Sequence, residues 1–204
     1  EAVYSFPVPL DSAFLGMEAI LAGETLVAKV IPARSASRQY DDAIAEGNSA
    51  VLLERLEPGM LCVNLGNLMP NEQGEIVLRF AAPLHAADNT VRFSLPLVHR
   101  PRYGRSRLDE VAEPGNDFAI EHPLQATVRV NGLLAATPVH CATHGARFAQ
   151  EDGSLVLHLS QAMLDRDLVL RFELPLAPLS QGRLVADGDQ SIGILSFSTP
   201  ANAA

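Results

Sequence analysis

The sequence predicts a mainly β protein: an antiparallel β-sandwich with one short α-helix at about 33–46 and a β-rich C-terminal extension. Three observations support this prediction. Apolar and polar residues alternate with period two along many short segments, which is typical of antiparallel strands with one solvent-exposed face. Glycine and proline turns separate these segments. A single longer segment has helical periodicity instead.

Strand-like alternation recurs along most of the chain, at 26–30, 76–80, 126–130, 155–159, 168–174 and 192–194. Asp152-Gly153 lies between two of these stretches and predicts a hairpin turn, because glycine adopts a positive φ at little cost. The predicted helix has one apolar stripe at helical spacing, formed by Ala36, Tyr40, Ala43 and Ile44. Pro32 suits its first turn, and Gly47 suits its C-terminal cap.

Composition limits the classes of function. The chain has 204 residues, 48% of them hydrophobic, and a net charge of -9. No apolar run approaches the ~18 residues that cross a bilayer, so we expect a soluble chain without a transmembrane segment. The acidic charge argues against nucleic acid as a partner, because phosphates repel it. Cys62 and Cys141 either form one bridge or stay free and buried.

The opening run from Glu1 to Pro9 is strand-like and ends in two prolines. Spaced motifs follow it: Arg34 and Tyr40 in the helix, Gly66-Asn67 before Pro70, Phe93 to Pro96, and Pro101-Arg102-Tyr103. In these motifs the chain resembles the VIT domain (vault protein inter-alpha-trypsin domain) family, as in a bacterial inter-alpha-trypsin inhibitor heavy chain-like protein. The resemblance implies structural roles for the signature residues Glu1, Tyr4, Phe6, Pro7, Arg34, Tyr40, Gly66 and Asn67.

The same resemblance divides the chain. It implies a VIT-like domain at 1–107, a linker or loop at 108–120, a β-rich extension packed on that domain at 121–198, and a tail at 199–204. VIT domains usually carry further strands before the opening motif, so we expect missing N-terminal strands. Their absence would leave an open sheet edge, through which homo-oligomers form.

An arginine-rich loop at 99–107 is the candidate interaction surface. Its functional groups are Arg100, Arg102, Tyr103, Arg105 and Arg107. Guanidinium groups bind acidic groups, so an acidic glycan or protein is a candidate ligand. A solvated loop, or one that forms ion pairs with the acidic surface of the chain, is the alternative.

Metal-ligating patterns are weak. His140-Cys141-x-x-His144 lacks the third and fourth ligands that zinc requires, and His158 and Cys62 are the only further donors to consider. An ordinary strand end and turn is the alternative. The segment from Asp187 to Ser191 lacks the ligand spacing of a calcium loop and fits a hairpin turn better. We therefore predict no metal site and no cofactor.

The sequence contains none of the nucleophile, metalloprotease or phosphate-loop motifs of enzymes. We therefore predict a non-enzymatic interaction or structural module. The resemblance implies the N-terminal part of a VIT plus von Willebrand factor A adhesion-type protein that is secreted, cell-surface or periplasmic. Its partner would be another protein or the adjacent von Willebrand factor A domain. The alternatives are a stand-alone module that binds an acidic glycan or protein through 99–107, and an unrecognised hydrolase.

Overall fold

The computed structural model describes residues 2–21, 23–98, 123–175, 179–187 and 190–198. Within these ranges the secondary structure is mostly antiparallel strands with one α-helix, so the predicted mainly β fold is confirmed. The chain divides into two units: Leu84–Leu95 and the chain from Ile120 form unit 2, and the strands before Pro83 lie in unit 1. The predicted boundary at 107 and the predicted linker at 108–120 lie outside the described residues and stay predictions. Within the described residues, 90–95 pair with 168–173 of unit 2.

Unit 1 contains two three-stranded antiparallel sheets. Its elements are β1 (Ala2–Pro7), β2 (Ala13–Leu21), β3 (Glu24–Val27), α1 (Ala33–Ala45), β4 (Ala50–Glu57), β5 (Met60–Gly66) and β6 (Gly74–Ala81). The first sheet has the order β1-β5-β4 and the second the order β3-β2-β6.

The two sheets of unit 1 share a core, which makes this unit a sandwich. Val63 and Leu65 of β5 form one buried cluster with Met17 and Leu21 of β2. Side chains of a strand alternate between its faces, so every second residue of β5 points into this core. Its other face buries Met60 and Cys62. Strand β5 is therefore covered on both faces, as its nearly continuous apolar sequence indicates.

The helix α1 begins after Pro32 and ends at Ala45, close to the predicted 33–46. Its apolar stripe is half-buried, whereas most of its other residues are exposed. Gly47 follows with φ 84°. Its N–H donates to the carbonyl oxygen of Ile44 over 3.0 Å, and the N–H of Asn48 donates to that of Ala43 over 2.9 Å. This pair of bonds is a Schellman cap, which requires the conformation that glycine tolerates best.

Unit 2 contains the remaining strands: β7 (Ala86–Ala87), β8 (Thr90–Leu95), β9 (Pro123–Val130), β10 (Val139–Cys141), β11 (Ala146–Glu151), β12 (Ser154–Met163), β13 (Leu168–Glu173), β14 (Leu179–Asp187) and β15 (Gln190–Ser198). They form sheets of order β10-β13-β8-β7 and β11-β12-β9 and a hairpin β14-β15. Asp152 and Gly153 both have positive φ in the turn between β11 and β12, which confirms the predicted hairpin. Cys62 and Cys141 are both buried and free.

Candidate interaction site

Gly66 is the last residue of β5 and lies against α1. We call the contact of Gly66 and Asn67 with the end of α1 the joint. A Cβ atom at this position would lie 1.8 Å from Cδ1 of Ile44 and 3.0 Å from the hydroxyl oxygen of Tyr40. Both distances are shorter than a normal van der Waals contact, so a larger residue would displace the helix or its side chains. Glycine at 66 is therefore what allows α1 to lie this close to the sheet.

Asn67 forms the polar half of the same joint. Its Nδ2 donates to the carbonyl oxygens of Ile44 over 3.2 Å and of Asn48 over 2.8 Å. The carbonyl oxygen of Ile44 also accepts the N–H of Gly47, so the amide of Asn67 adds a second hydrogen bond at this oxygen and a further one just beyond the helix. Asn67 has φ 54°, a conformation that asparagine adopts more readily than most residues. Two adjacent signature residues thus meet the end of the same helix.

The other signature residues lie elsewhere. The rings of Tyr4 and Phe6 stack with centroids 5.4 Å apart, and Phe6 packs on the core while Tyr4 is 58% exposed. Pro7 occupies the last paired position of β1, opposite Met60. Arg34 is exposed in the first turn of α1. Glu1 lies outside the described residues. The structural roles that the resemblance implies for this set stay predictions.

A cleft of about 560 Å³ opens on unit 1 between the two sheets. We call it the edge cleft. It is lined by 14–17, 26–31 and 49–53, together with Ala19, Ala36, Gln39, Arg55 and Leu61. Its volume falls within the range of roughly 300–1,000 Å³ that ligand pockets have.

The edge cleft follows the edges of strands rather than one of their faces. Successive residues of a strand point to opposite faces, so a cavity over one face touches every second residue. This cleft instead touches consecutive residues from Ser49 to Leu53 along β4 and from Leu26 to Ile31 along β3 and beyond. Both β4 and β3 are the outermost strands of their three-stranded sheets. The cleft therefore lies between the outer edges of two strands with which no further described strand pairs.

The edge cleft is mostly apolar and weakly basic. Val27 is 68% exposed and Val30 is 92% exposed, an unusual placement for β-branched apolar side chains. Lys29 and Arg55 also line the cleft, and none of the described residues that line it is acidic. The charge of these lining residues is therefore opposite in sign to the net charge of the chain, which is -9.

The predicted arginine surface, 99–107, lies outside the described residues. The histidines and cysteines weighed as metal ligands form no such group: in the described part of the chain no three His, Cys, Asp or Glu side chains are placed to hold a metal. Nδ1 of His144 lies 3.0 Å from Oγ1 of Thr143, and this oxygen accepts the N–H of Val169 over 3.0 Å. Asp187 pairs with Gln190 across a hairpin, as predicted for that segment.

Two ion pairs shift the pKa values of their members. Arg79 donates to Oε1 of Glu18 over 2.6 Å across β6 and β2, and this bond raises the pKa of Arg79. Arg166 binds the adjacent Asp165 through two nitrogens, at 2.9 and 2.5 Å. The guanidinium lowers the pKa of Asp165 below its usual value. Both pairs are largely exposed, so each contributes little to stability.

Sequence reasoning missed the edge cleft. The alternation at Leu26 to Val30 identified a strand, but alternation does not show whether the edge of a strand is paired. The structure ends β3 at Val27, so the strand predicted at 26–30 is too long, and 28–31 line the cleft outside it.

No helix among the described residues is long and apolar enough to cross a membrane. The sequence profile of the Vault protein inter-alpha-trypsin domain (VIT) matches residues 1–80. The match ends within β6, the last described strand of unit 1. The profile therefore covers both sheets of the sandwich, the helix α1, the joint and the edge cleft.

Similarity to whole proteins extends further along the chain. The von Willebrand factor A domain-containing protein 5A of Rattus norvegicus is 34% identical over 158 residues, which is 76% of this chain and 19% of that protein. The Homo sapiens protein of the same name is 36% identical over 106 residues, 50% of this chain and 14% of that protein. The Mus musculus Protein mono-ADP-ribosyltransferase PARP4 is 28% identical over 110 residues, 54% of this chain and 6% of that protein. The chain thus spans a fifth or less of these relatives.

Proposed function

This chain belongs to the VIT domain family, and on that premise we propose that it is a non-enzymatic protein-interaction module within a longer protein that also carries a von Willebrand factor A domain. One observation carries the proposal. A relative named for its von Willebrand factor A domain is 34% identical over 76% of this chain, a length that exceeds either unit alone. The chain would then support or orient that domain, or hold a partner protein beside it.

The proposal that the module is non-enzymatic rests on how little of a named enzyme the chain matches. The alignment with the mono-ADP-ribosyltransferase covers 6% of that protein, and the activity in its name belongs to the whole protein. Three relatives with longer or stronger matches are named only for a von Willebrand factor A domain. A secreted or cell-surface location forms part of the same proposal.

The geometry of unit 1 supports this role. A sandwich with a core on one face of β5 and a further cluster on the other is a stiff scaffold. The joint at Gly66 and Asn67 holds α1 on that scaffold through close packing and two hydrogen bonds. Binding surfaces on rigid elements hold their shape better than surfaces on loops.

The test compares this chain alone with the full-length gene product. We expect the gene to encode a von Willebrand factor A domain in the same protein. Hydrogen exchange measured on both forms should then show amides of this chain that are protected only in the full-length protein. A gene product without such a domain, or identical exchange in both forms, would contradict the proposed support role. A product found only in the cytoplasmic fraction would contradict the proposed location.

A further inference from the structure

We propose that three residues lying side by side across one sheet of unit 2, His140, Arg171 and Arg92, form a binding site for a phosphate group. We call these three residues the basic row. The inference goes beyond the proposed function, since it gives unit 2 a ligand that the support role does not require. It depends on the register of three strands, on the exposure of the three side chains and on their local charge.

The pairing of three strands creates the basic row. His140 of β10 lies directly opposite Arg171 of β13, and Arg171 lies directly opposite Arg92 of β8. Neighbouring strands lie about 4.8 Å apart, so the three Cα atoms span roughly 10 Å. Arginine side chains are long, so the polar ends of the row can meet around one small anion. Residues from three separate segments of the chain thus form one possible site.

Alternation puts the basic row on the exposed face of its sheet. Leu170 and Phe172, on either side of Arg171, are 1% and 2% exposed and belong to the core. Arg171, Arg92 and His140 are all exposed. Successive side chains of a strand point to opposite faces, so the three polar side chains share the face that is turned away from this core.

The arginines of the basic row differ from others in the chain in having no described carboxylate partner. Three other arginines each bind one: Arg79 binds Glu18, Arg129 binds Glu151, and Arg166 binds Asp165. Arg92 and Arg171 form no ion pair with any residue that the structure describes. Like charges directly opposite each other destabilise a sheet. A bound anion would relieve this repulsion, so the row has a charge that a ligand can balance.

One carboxylate shares the face of the basic row. Glu173 lies two residues beyond Arg171 and is the only acidic residue within β7, β8, β10 and β13. It is exposed and forms no ion pair with either arginine. Its charge weakens the attraction for an anion but leaves two guanidinium groups against one carboxylate. Removing that charge should therefore tighten binding.

The donors of the basic row suit phosphate better than carboxylate. A guanidinium keeps its charge across the physiological pH range and presents a planar fork of N–H groups that matches phosphate oxygens. Two forks and one imidazole N–H exceed what the two oxygens of a carboxylate can accept side by side. A phosphate monoester has three acceptor oxygens and a charge of about -1.5 to -2 at pH 7. Both its charge and its oxygens therefore match the row.

The net charge of the chain does not exclude this ligand. The value of -9 repels any anion at long range. Salt screens charges that lie beyond about 8–10 Å, so the two guanidinium groups dominate close to the row.

The test uses the whole chain and two sources of the same group, free inorganic phosphate and a phosphorylated side chain of a partner protein. Calorimetry at constant ionic strength would measure inorganic phosphate and a short end-blocked glycine-serine peptide with one central phosphoserine. We expect the peptides with serine or glutamate at that position to bind at least about tenfold more weakly. NMR shifts of the amides of 92, 140 and 171 would locate the ligand. A phosphopeptide that binds at least as tightly as inorganic phosphate points to a partner protein as the source, and one that binds far more weakly points to the free ion.

Variants of the two arginines separate the fork from the charge. Arg92→Gln combined with Arg171→Gln should weaken phosphate binding by about tenfold or more, because the charge-assisted hydrogen bonds are lost. Its Tm without ligand should not fall, since both positions are exposed and the repulsion is removed. Arg92→Lys combined with Arg171→Lys keeps the charge but removes the forks, so its loss of affinity should be smaller.

Two further variants act as controls. Arg38→Gln combined with Arg55→Gln makes the same change in net charge at exposed positions of unit 1. This variant should bind within about twofold of the unchanged chain, because distant charges are screened. Glu173→Gln should tighten binding by about twofold or more, because it removes the negative charge beside Arg171.

Several results would overturn the proposal. These are equal binding of the phosphoserine and glutamate peptides, equal loss in both glutamine double variants, shifts that avoid 92, 140 and 171, or no binding of either phosphate source at millimolar concentration. If the glutamine variant fails to fold, the lysine variant and Glu173→Gln still decide, and unchanged affinity in both would refute the site. Such failures leave the support role untouched, because the exchange comparison with the full-length protein tests that role separately.

Discussion

Asn67 donates its side-chain amide to the carbonyl oxygen of Asn48 over 2.8 Å, and this bond joins the end of β5 to the chain just beyond α1. The same nitrogen donates to the carbonyl oxygen of Ile44 inside the last turn. The residue that directly follows β5 thus binds the C-terminal end of the helix. The helix and the sheet therefore depend on each other at this joint.

Replacing Asn67 should destabilise unit 1. Asn67→Gly keeps the positive φ and removes both hydrogen bonds, so we expect a loss of about 1–2 kcal/mol in the free energy of unfolding. Asn67→Asp should cost more, because a carboxylate would face the negative end of the helix. Urea denaturation followed by circular dichroism measures both variants. Equal stability of the original chain and Asn67→Asp would show that the joint does not depend on this amide.

Replacing Gly66 tests the packing half of the joint. We expect Gly66→Ala to lower the unfolding free energy by about 1–3 kcal/mol, the usual cost of overpacking. Ile44→Val removes the Cδ1 atom nearest to the added methyl group, so the double variant should lose less than the sum of the single variants. The same denaturation experiment measures this coupling.

Gly145→Ala is the matched control for Gly66→Ala. A Cβ atom at Gly145 has no neighbour within 4 Å, and this glycine is not among those with positive φ. The control should therefore change stability by no more than about 0.5 kcal/mol. If both alanine variants behave alike, the close approach of α1 to Gly66 is not a constraint on the fold.

We expect the hydroxyl group of Thr143 to stabilise unit 2. Its Oγ1 accepts the N–H of Val169 and lies within hydrogen-bond distance of Nδ1 of His144. Thr143→Val keeps the shape but leaves that N–H without its partner, at a cost of about 1–3 kcal/mol. Thr143→Ser keeps the hydroxyl and should retain most of the stability. Thermal unfolding measures the pair, and a valine variant as stable as the serine variant would refute the role.

The pair Asp165 and Arg166 predicts a pH dependence. Because the guanidinium lowers the pKa of Asp165 in the folded chain, its contribution is present above the unfolded-state pKa. It is lost as the pH falls through the folded-state pKa. Asp165→Asn should therefore lower the Tm slightly at pH 7 and not at a pH below both pKa values. Since the pair is exposed, 0.5 M salt should reduce the difference at pH 7. A difference that persists in acid would contradict this account.

Local pattern was sufficient for most of the fold. Period-two alternation, the apolar stripe of α1 and the glycines at 47 and 153 act through residues close in sequence, and the helix, its C-terminal cap and the hairpin at 152–153 form as predicted. The strand predicted at 26–30 ends earlier, at Val27. The family motif also identified Gly66 and Asn67. The pattern could not show which helical atoms these residues meet, because Ile44 and Asn48 lie about twenty positions away.

The sequence by itself determined the mainly β class, the helix and its C-terminal cap, the hairpin at 152–153 and the VIT resemblance, because each depends on local conformation or on a spaced motif. Only the tertiary structure decided that Cys62 and Cys141 stay free, that 90–95 pairs within unit 2, and that β3 and β4 each lie at the edge of a sheet. Strand pairing depends on hydrogen bonds between distant segments, which alternation along one strand does not encode. The edge cleft exists for the same reason, since it forms where two such pairings stop.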